Sequence, residues 1–217
     1  MTDSGVSAGV TLNGGSNHQI TRSTLNGATA LSVSNVTGLA MSHNTLGATN
    51  TGMTISNSTG LDVRNTTITG SSYGVRILAS SAGDFRNNSI YGGSIAFDVQ
   101  ASFAGTLSGN TLQAASKGLN LAAPFVGNVT DNTIAALSTG SIGVDVQAEF
   151  TGTLSGNGIS GLAFGLNLDH TASGTIDGND ISTSAAGTGL NLAAVFTGTI
   201  TGNAIHGGST GVAYGVG

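Results

Sequence analysis

Short words of the form Gly-apolar-polar-apolar return along the chain. They read GVTL from residue 9, GMTI from 52, GVRI from 74, GLNL from 118, 165 and 189, and GVDV from 143, with variants ALSV, AFDV and GVAY from 30, 96 and 211. Alternation at a period of two marks a strand with one buried face. A second word of GTLSG type follows each, with one central apolar residue, and then a third, a short Leu or Ile segment introduced by Asn. The pattern predicts three short strands per repeat.

The Asn-led segment sets the period. Asn44, Asn88, Asn110, Asn132, Asn157, Asn179 and Asn203 each precede a small residue and then Leu or Ile, and Ser23 and Thr66 hold the same place in two degenerate copies. The step is 22 residues, apart from single steps of 21, 25 and 24. Three short strands in so short a repeat cannot pair with sequence neighbours. Each pairs with its copy one repeat later, so the sheets are parallel and the chain coils, one repeat per turn, at the strand spacing of ~4.8 Å. The crossover rule makes the coil right-handed. The expected fold is an all-β, right-handed parallel β-helix of about 9–10 rungs of about 22 residues. It has three short parallel sheets and an Asn ladder at one corner. One domain spans 1–217, with repeats over about 9–214.

Stacking turns the sequence into files. Val10, Leu31, Met53, Val75, Phe97, Leu119, Val144, Leu166, Leu190 and Val212 form one inner file of the first strand. Ile20, Met41, Val63, Phe85, Leu107, Val129, Leu154, Ile176 and Ile200 form that of the second strand. Each Asn is expected to sit in the left-handed conformation at a tight corner and to donate its amide to the next Asn. Phe103, Phe125, Phe150 and Phe196 lie seven residues before an Asn of the ladder and are expected to stack.

The period, the corner Asn and the GNTI…GLNL cadence resemble right-handed parallel β-helix repeats of pectate-lyase-like enzymes, phage tailspikes and bacterial autotransporter passengers. The resemblance implies the coil and, in pectinase-like members, a substrate cleft on the first sheet. The outward file there includes Arg76, Asp98, Asn120, Asp145, Asn167 and Asn191. Asp98 and Asp145 stand two rungs apart, ~9.6 Å between Cα atoms, near the roughly 6.5–9.5 Å separation of inverting glycosidases. With Arg76, Asp169 and His170 they are the candidate catalytic set of a polysaccharide hydrolase or lyase. The polygalacturonase motifs Asn-Thr-Asp, Asp-Asp, Gly-His-Gly and Arg-Ile-Lys are absent, and the plain alternative is a solvated face with an Arg76–Asp98 ion pair. On the second strand, Thr106, Ser108, Thr130, Thr153, Ser155, Thr175, Thr199 and Thr201 resemble an ice-binding face, interrupted by Asn128 and Asp177.

Composition narrows the function. Charged residues make up 7% of the chain, hydrophobic residues 38%, and the net charge is −5. Five scattered cations cannot neutralise a phosphate backbone, so no nucleic-acid partner is expected. No apolar run reaches the ~20 residues of a membrane span, and the start lacks a signal-peptide pattern. There is no Cys, and His18, His43, His170 and His206 share no file, so neither metal nor cofactor is expected. GVSAG at 5 and GGSTG at 207 fit a nucleophile elbow, and GNGISG at 156 a dinucleotide fingerprint; in a chain with 36 Gly, such matches arise by composition. The reading that results is a structural or adhesive, non-enzymatic β-helix of an exported bacterial surface protein. Its loops near 135–142 and 182–188 would touch glycans or host and surface proteins. No amphipathic capping helix is visible at either terminus, so the chain is expected to be a piece of a longer protein, or to meet other copies end to end.

Overall fold

The computed structural model describes residues 1–215. The chain is a right-handed parallel β-solenoid of about ten turns. Its second face is a nine-stranded sheet running from Ser16–Thr21 to Phe196–Thr201. Strands such as Ile95–Val99, Lys117–Leu121 and Ile142–Val146 build the first face, and Ser89–Gly92, Thr111–Ala114 and Thr133–Ala136 the third. Every registered pair is parallel and follows the files read from sequence: Phe97 pairs with Leu119, Leu119 with Val144, Leu107 with Val129, Ile90 with Leu112.

The first and third faces share one 18-stranded sheet, where the sequence suggested two separate ones. Early in the coil, Thr24–Ser34 and Thr45–Ser56 run unbroken across both faces, with a register shift between Gly27 and Thr29. Later turns part the two faces with Ser71–Ser72, Gly93–Ser94 or the longer 137–141 segment.

Four inward files fill the prism. Leu119, Val129 and Ile134 are 0% exposed and Leu121 is 1%. Burying each such side chain stabilises by roughly 1.5–3 kcal/mol. Among the described residues the last turn has no neighbour above it, and Val212 and Tyr214 are 42% and 71% exposed.

Two expectations about the corners change. The left-handed residue is the one before each ladder position: His43, Asn65, Asn87, Gly109, Asp131, Gly156, Gly178 and Gly202 have positive φ, and the ladder Asn residues do not. The ladder Asn turns its amide into the coil instead and satisfies buried backbone there. Second, the Phe stack is shorter than expected. Phe103 and Phe125 lie 5.9 Å apart and tilted, and Phe125 and Phe150 lie 5.9 Å apart and stacked. Phe150 then pairs in register with Ala172, and Ala172 with Phe196, so Phe196 stands apart from the stack. Phe85 of the same face and Phe97 of the first face extend it at the opposite end, 6.4 and 6.3 Å from Phe103, and their own ring centroids are 5.0 Å apart, edge to face.

Candidate functional site

The outward file of the first face is a closed polar ladder. Asn191 Nδ2 donates to Asn167 Oδ1 at 2.7 Å, and Asn167 Nδ2 to Asp145 Oδ1 at 2.8 Å. Asp145 Oδ2 takes an ion pair from Lys117 Nζ at 2.7 Å, and the same ammonium donates to Asn120 Oδ1 at 3.0 Å. Asn120 Nδ2 donates to Asp98 Oδ1 at 2.8 Å, and Arg76 Nε to Asp98 Oδ2 at 3.1 Å. Gln100 Nε2 adds a further 2.8 Å bond to Asp98, and the Arg76 guanidinium lies 4.1 Å from the Tyr73 ring centre.

An amide ladder has a polarity, because each Asn accepts with one atom and donates with the other. On this face each run of amides ends on an acceptor-only group, at Asp98 and at Asp145. One cation neutralises each. The result is a face whose polar side chains lie along the sheet and cover one another: the Asp98 and Asp145 side chains are both 1% exposed. Sequence reading anticipated the Arg76–Asp98 pair. It missed Lys117, whose signal is its place three residues before Asn120 in a strand that pairs with the one carrying Asp145.

The structure keeps Asp98 and Asp145 two rungs apart in one file, with Asn120 between them. It does not bring Asp169 and His170 to them. Those two are exposed at the corner beyond the strand, where the Asp169 N–H bonds to the Val146 carbonyl and His170 Nδ1 lies 3.4 Å from the Thr171 carbonyl.

On the second face, Thr106, Asn128, Thr153, Thr175 and Thr199 stack in register, as do Ser108, Thr130, Ser155, Asp177 and Thr201. Thr201 spends its hydroxyl on Asp177 at 2.7 Å. The earlier turns replace this array by Asp62 over Asp84 and Arg64 over Arg86, cross-linked by ion pairs. At the first turn an exposed Arg22–Asp3 pair forms through two hydrogen bonds, and the hydrogen-bonding guanidinium holds the Asp3 carboxyl below its usual range.

The second amide ladder lies inside, between the second and third faces. Asn88, Asn110, Asn132, Asn157 and Asn179 each donate Nδ2 to the Oδ1 of the next, at 2.8–3.0 Å, ending on Asn203. The same Oδ1 atoms also accept the preceding backbone N–H, as from Asn110 to Asn132 at 2.9 Å. Asn44 begins the file, accepting from the Ser23 N–H and donating to the Ile20 carbonyl.

A regular parallel coil whose outward polar ladder is closed on itself defines a repeat scaffold of the parallel β-helix class. Residues 1–149 match the family described as periplasmic copper-binding protein (NosD), and the chain belongs to that family. No curated protein and no solved structure matches it. The family's periplasmic description agrees with an exported protein.

The word copper sets a test for the residues present. Copper takes thiolate, thioether and imidazole ligands. The chain has no Cys; of its three Met, Met41 and Met53 are 1% and 0% exposed in the core and Met1 is a lone exposed thioether, and no three His, Cys, Asp or Glu converge among the described residues. This donor set does not fit a copper centre.

Proposed function

We propose that the chain is a non-enzymatic structural β-helix of an exported bacterial protein, adhesin-like in role, which presents polar strand faces and corner loops for weak contact with glycans or proteins. One observation carries the reading: both candidate carboxylates of the first face are buried and neutralised within the ladder. A general acid or base must reach its substrate with a free lone pair or proton. Asp98 and Asp145 have theirs committed to neighbours. The contact regions on this reading are the segment around Leu137, which is 56% exposed, and that of 182–188, where Ala185 and Ala186 are exposed.

Two assays test it. Incubation with acidic and neutral polysaccharides should release no reducing ends and no unsaturated products; turnover lost on Asp98→Asn or Asp145→Asn would overturn the proposal in favour of a hydrolase or lyase. Glycan and surface-protein arrays should show weak binding that falls on changing Leu137 to Ser. The files of hydroxyls from Thr106 to Thr201 favour a second reading as an ice-binding face, and thermal hysteresis of a millimolar solution decides it.

A further inference from the structure

We infer that this member of the family holds no copper with its own side chains: what it shares over residues 1–149 is the coil. This goes beyond the scaffold reading above and can fail without it, since a copper site would restore no free carboxylate to the first face.

The inference follows from how a solenoid builds a metal site. Successive turns place the same position ~4.8 Å apart. A ligand set therefore comes most directly from one outward file that repeats a donor residue, or from two donors on facing positions of one turn. Neither occurs with thiolate, thioether or imidazole donors among the described residues, and where a carboxylate does repeat outward, Asp62 over Asp84, both are held in ion pairs by Arg64 and Arg86. The two internal Met residues occupy inner files, Met41 between Ile20 and Val63 and Met53 between Leu31 and Val75, so neither thioether reaches solvent. The imidazoles fall at four different stations. His18 Nε2 lies 3.0 Å from the Gly14 carbonyl near the start of a second-face strand. His43 holds a left-handed corner, four residues beyond the Leu39 that pairs with His18, hence ~13 Å further along the strand direction. His170 lies at the end of a first-face strand and His206 at the end of a third-face strand.

One His–carboxylate contact remains, His206 Nε2 to Asp180 Oδ1 at 3.3 Å, with side chains 63% and 71% exposed. It lies outside the matched region, offers two ligands at most, and is open to water on every other side. Copper drawn there is expected to be weak and easily removed by a chelator.

The test uses the whole purified chain. It is dialysed against Cu(II) with equimolar nitrilotriacetate and, separately, under reducing conditions against Cu(I) with a Cu(I)-specific chelator. Retained copper is measured by atomic emission and thermal unfolding is followed by circular dichroism. The expected result is far less than one equivalent retained and no change in Tm, because only a ligand that prefers the folded state raises it. Copper seen without chelator that disappears in His206→Ala or Asp180→Asn agrees with the inference. Near one equivalent held against either chelator, or a Tm rise that survives the chelator, overturns it.

Discussion

A Cβ added to Gly143 would lie 2.6 Å from Cγ2 of Ile159, and one added to Gly74 would lie 2.5 Å from Cγ2 of Ile90. Gly52, Gly118, Gly165 and Gly189 meet Ile68, Ile134, Ile181 and Ile205 in the same way. Each Ile stands sixteen residues after its Gly. The two Ala residues of this file, Ala30 and Ala96, have Leu46 and Leu112 at that distance. An added Cβ would also meet the carbonyl of the next turn, at 2.5 Å for Gly74 and 2.6 Å for Gly143, and the Cβ methyl that Ile carries and Leu lacks is the part of the crowding that changes between these sites. Leu112→Ile should therefore overpack the site by about 1–3 kcal/mol. Adding Ala96→Gly should recover part of that loss, and strictly additive unfolding free energies in the double variant would count against the account. Asn132 is the other informative residue. Its amide donates to the carbonyls of Leu107 and Thr130 and to Asn157, and it accepts from Asn110. Truncation to Ala strands several buried groups at about 1–3 kcal/mol each. Urea unfolding should show a loss of at least about 3 kcal/mol, against a smaller one for the half-buried Asn203 at the ladder's end. The Asn file itself was legible from spacing. Its backbone role was not, because a tripeptide motif does not say which of two adjacent corner residues takes positive φ.

Among the strands, the first face rests on two charge-balanced segments, and each predicts its own loss. Asp145→Ala leaves Lys117 without its carboxylate and Asn167 Nδ2 without its acceptor. Breaking a buried pair costs about 3–5 kcal/mol. The Lys117 side chain is 23% exposed and partly rehydrates, so a loss of about 2–3 kcal/mol is expected in urea unfolding. Replacing both members by Leu and Met should cost much less; an equal loss would show that the pair is not what binds the segment. Which outward residues share this file could be read from the repeat alone. That they lie flat and seal one another could not, because the sealing depends on the reach of Lys117 and Arg76 across turns. The same limit explains the Phe stack. Spacing placed Phe103, Phe125 and Phe150 in one file, but Phe196 is two turns from Phe150, and the intervening Ala172 removes the ring that would have joined them.

At the scale of the molecule, each turn rests on its neighbours alone, so stability is close to a sum over turns and their interfaces. That is why the fold was so legible: every file repeats the same instruction many times, and a single degenerate copy such as Ser23 or Thr66 does not blur it. Function has no such redundancy. A catalytic or metal centre would need unlike residues from several turns to converge once, and spacing carries no statement about convergence. A deletion tests the additive picture. Residues 158–179 form one 22-residue turn. Removing them joins Asn157 to Asp180, sets Asn203 next on the inner ladder, and places Asn191 where Asn167 met Asp145. The variant should fold, with circular dichroism unchanged in shape and a rod ~4.8 Å shorter by small-angle scattering. Removing half that number of residues should abolish cooperative unfolding.

The gap at Ala172 then marks a join at which the coil could be shortened. Excising that turn would set Phe196 directly on Phe150 and close the aromatic stack. A coil built this way can lose a whole turn while the files on either side of the join stay in phase.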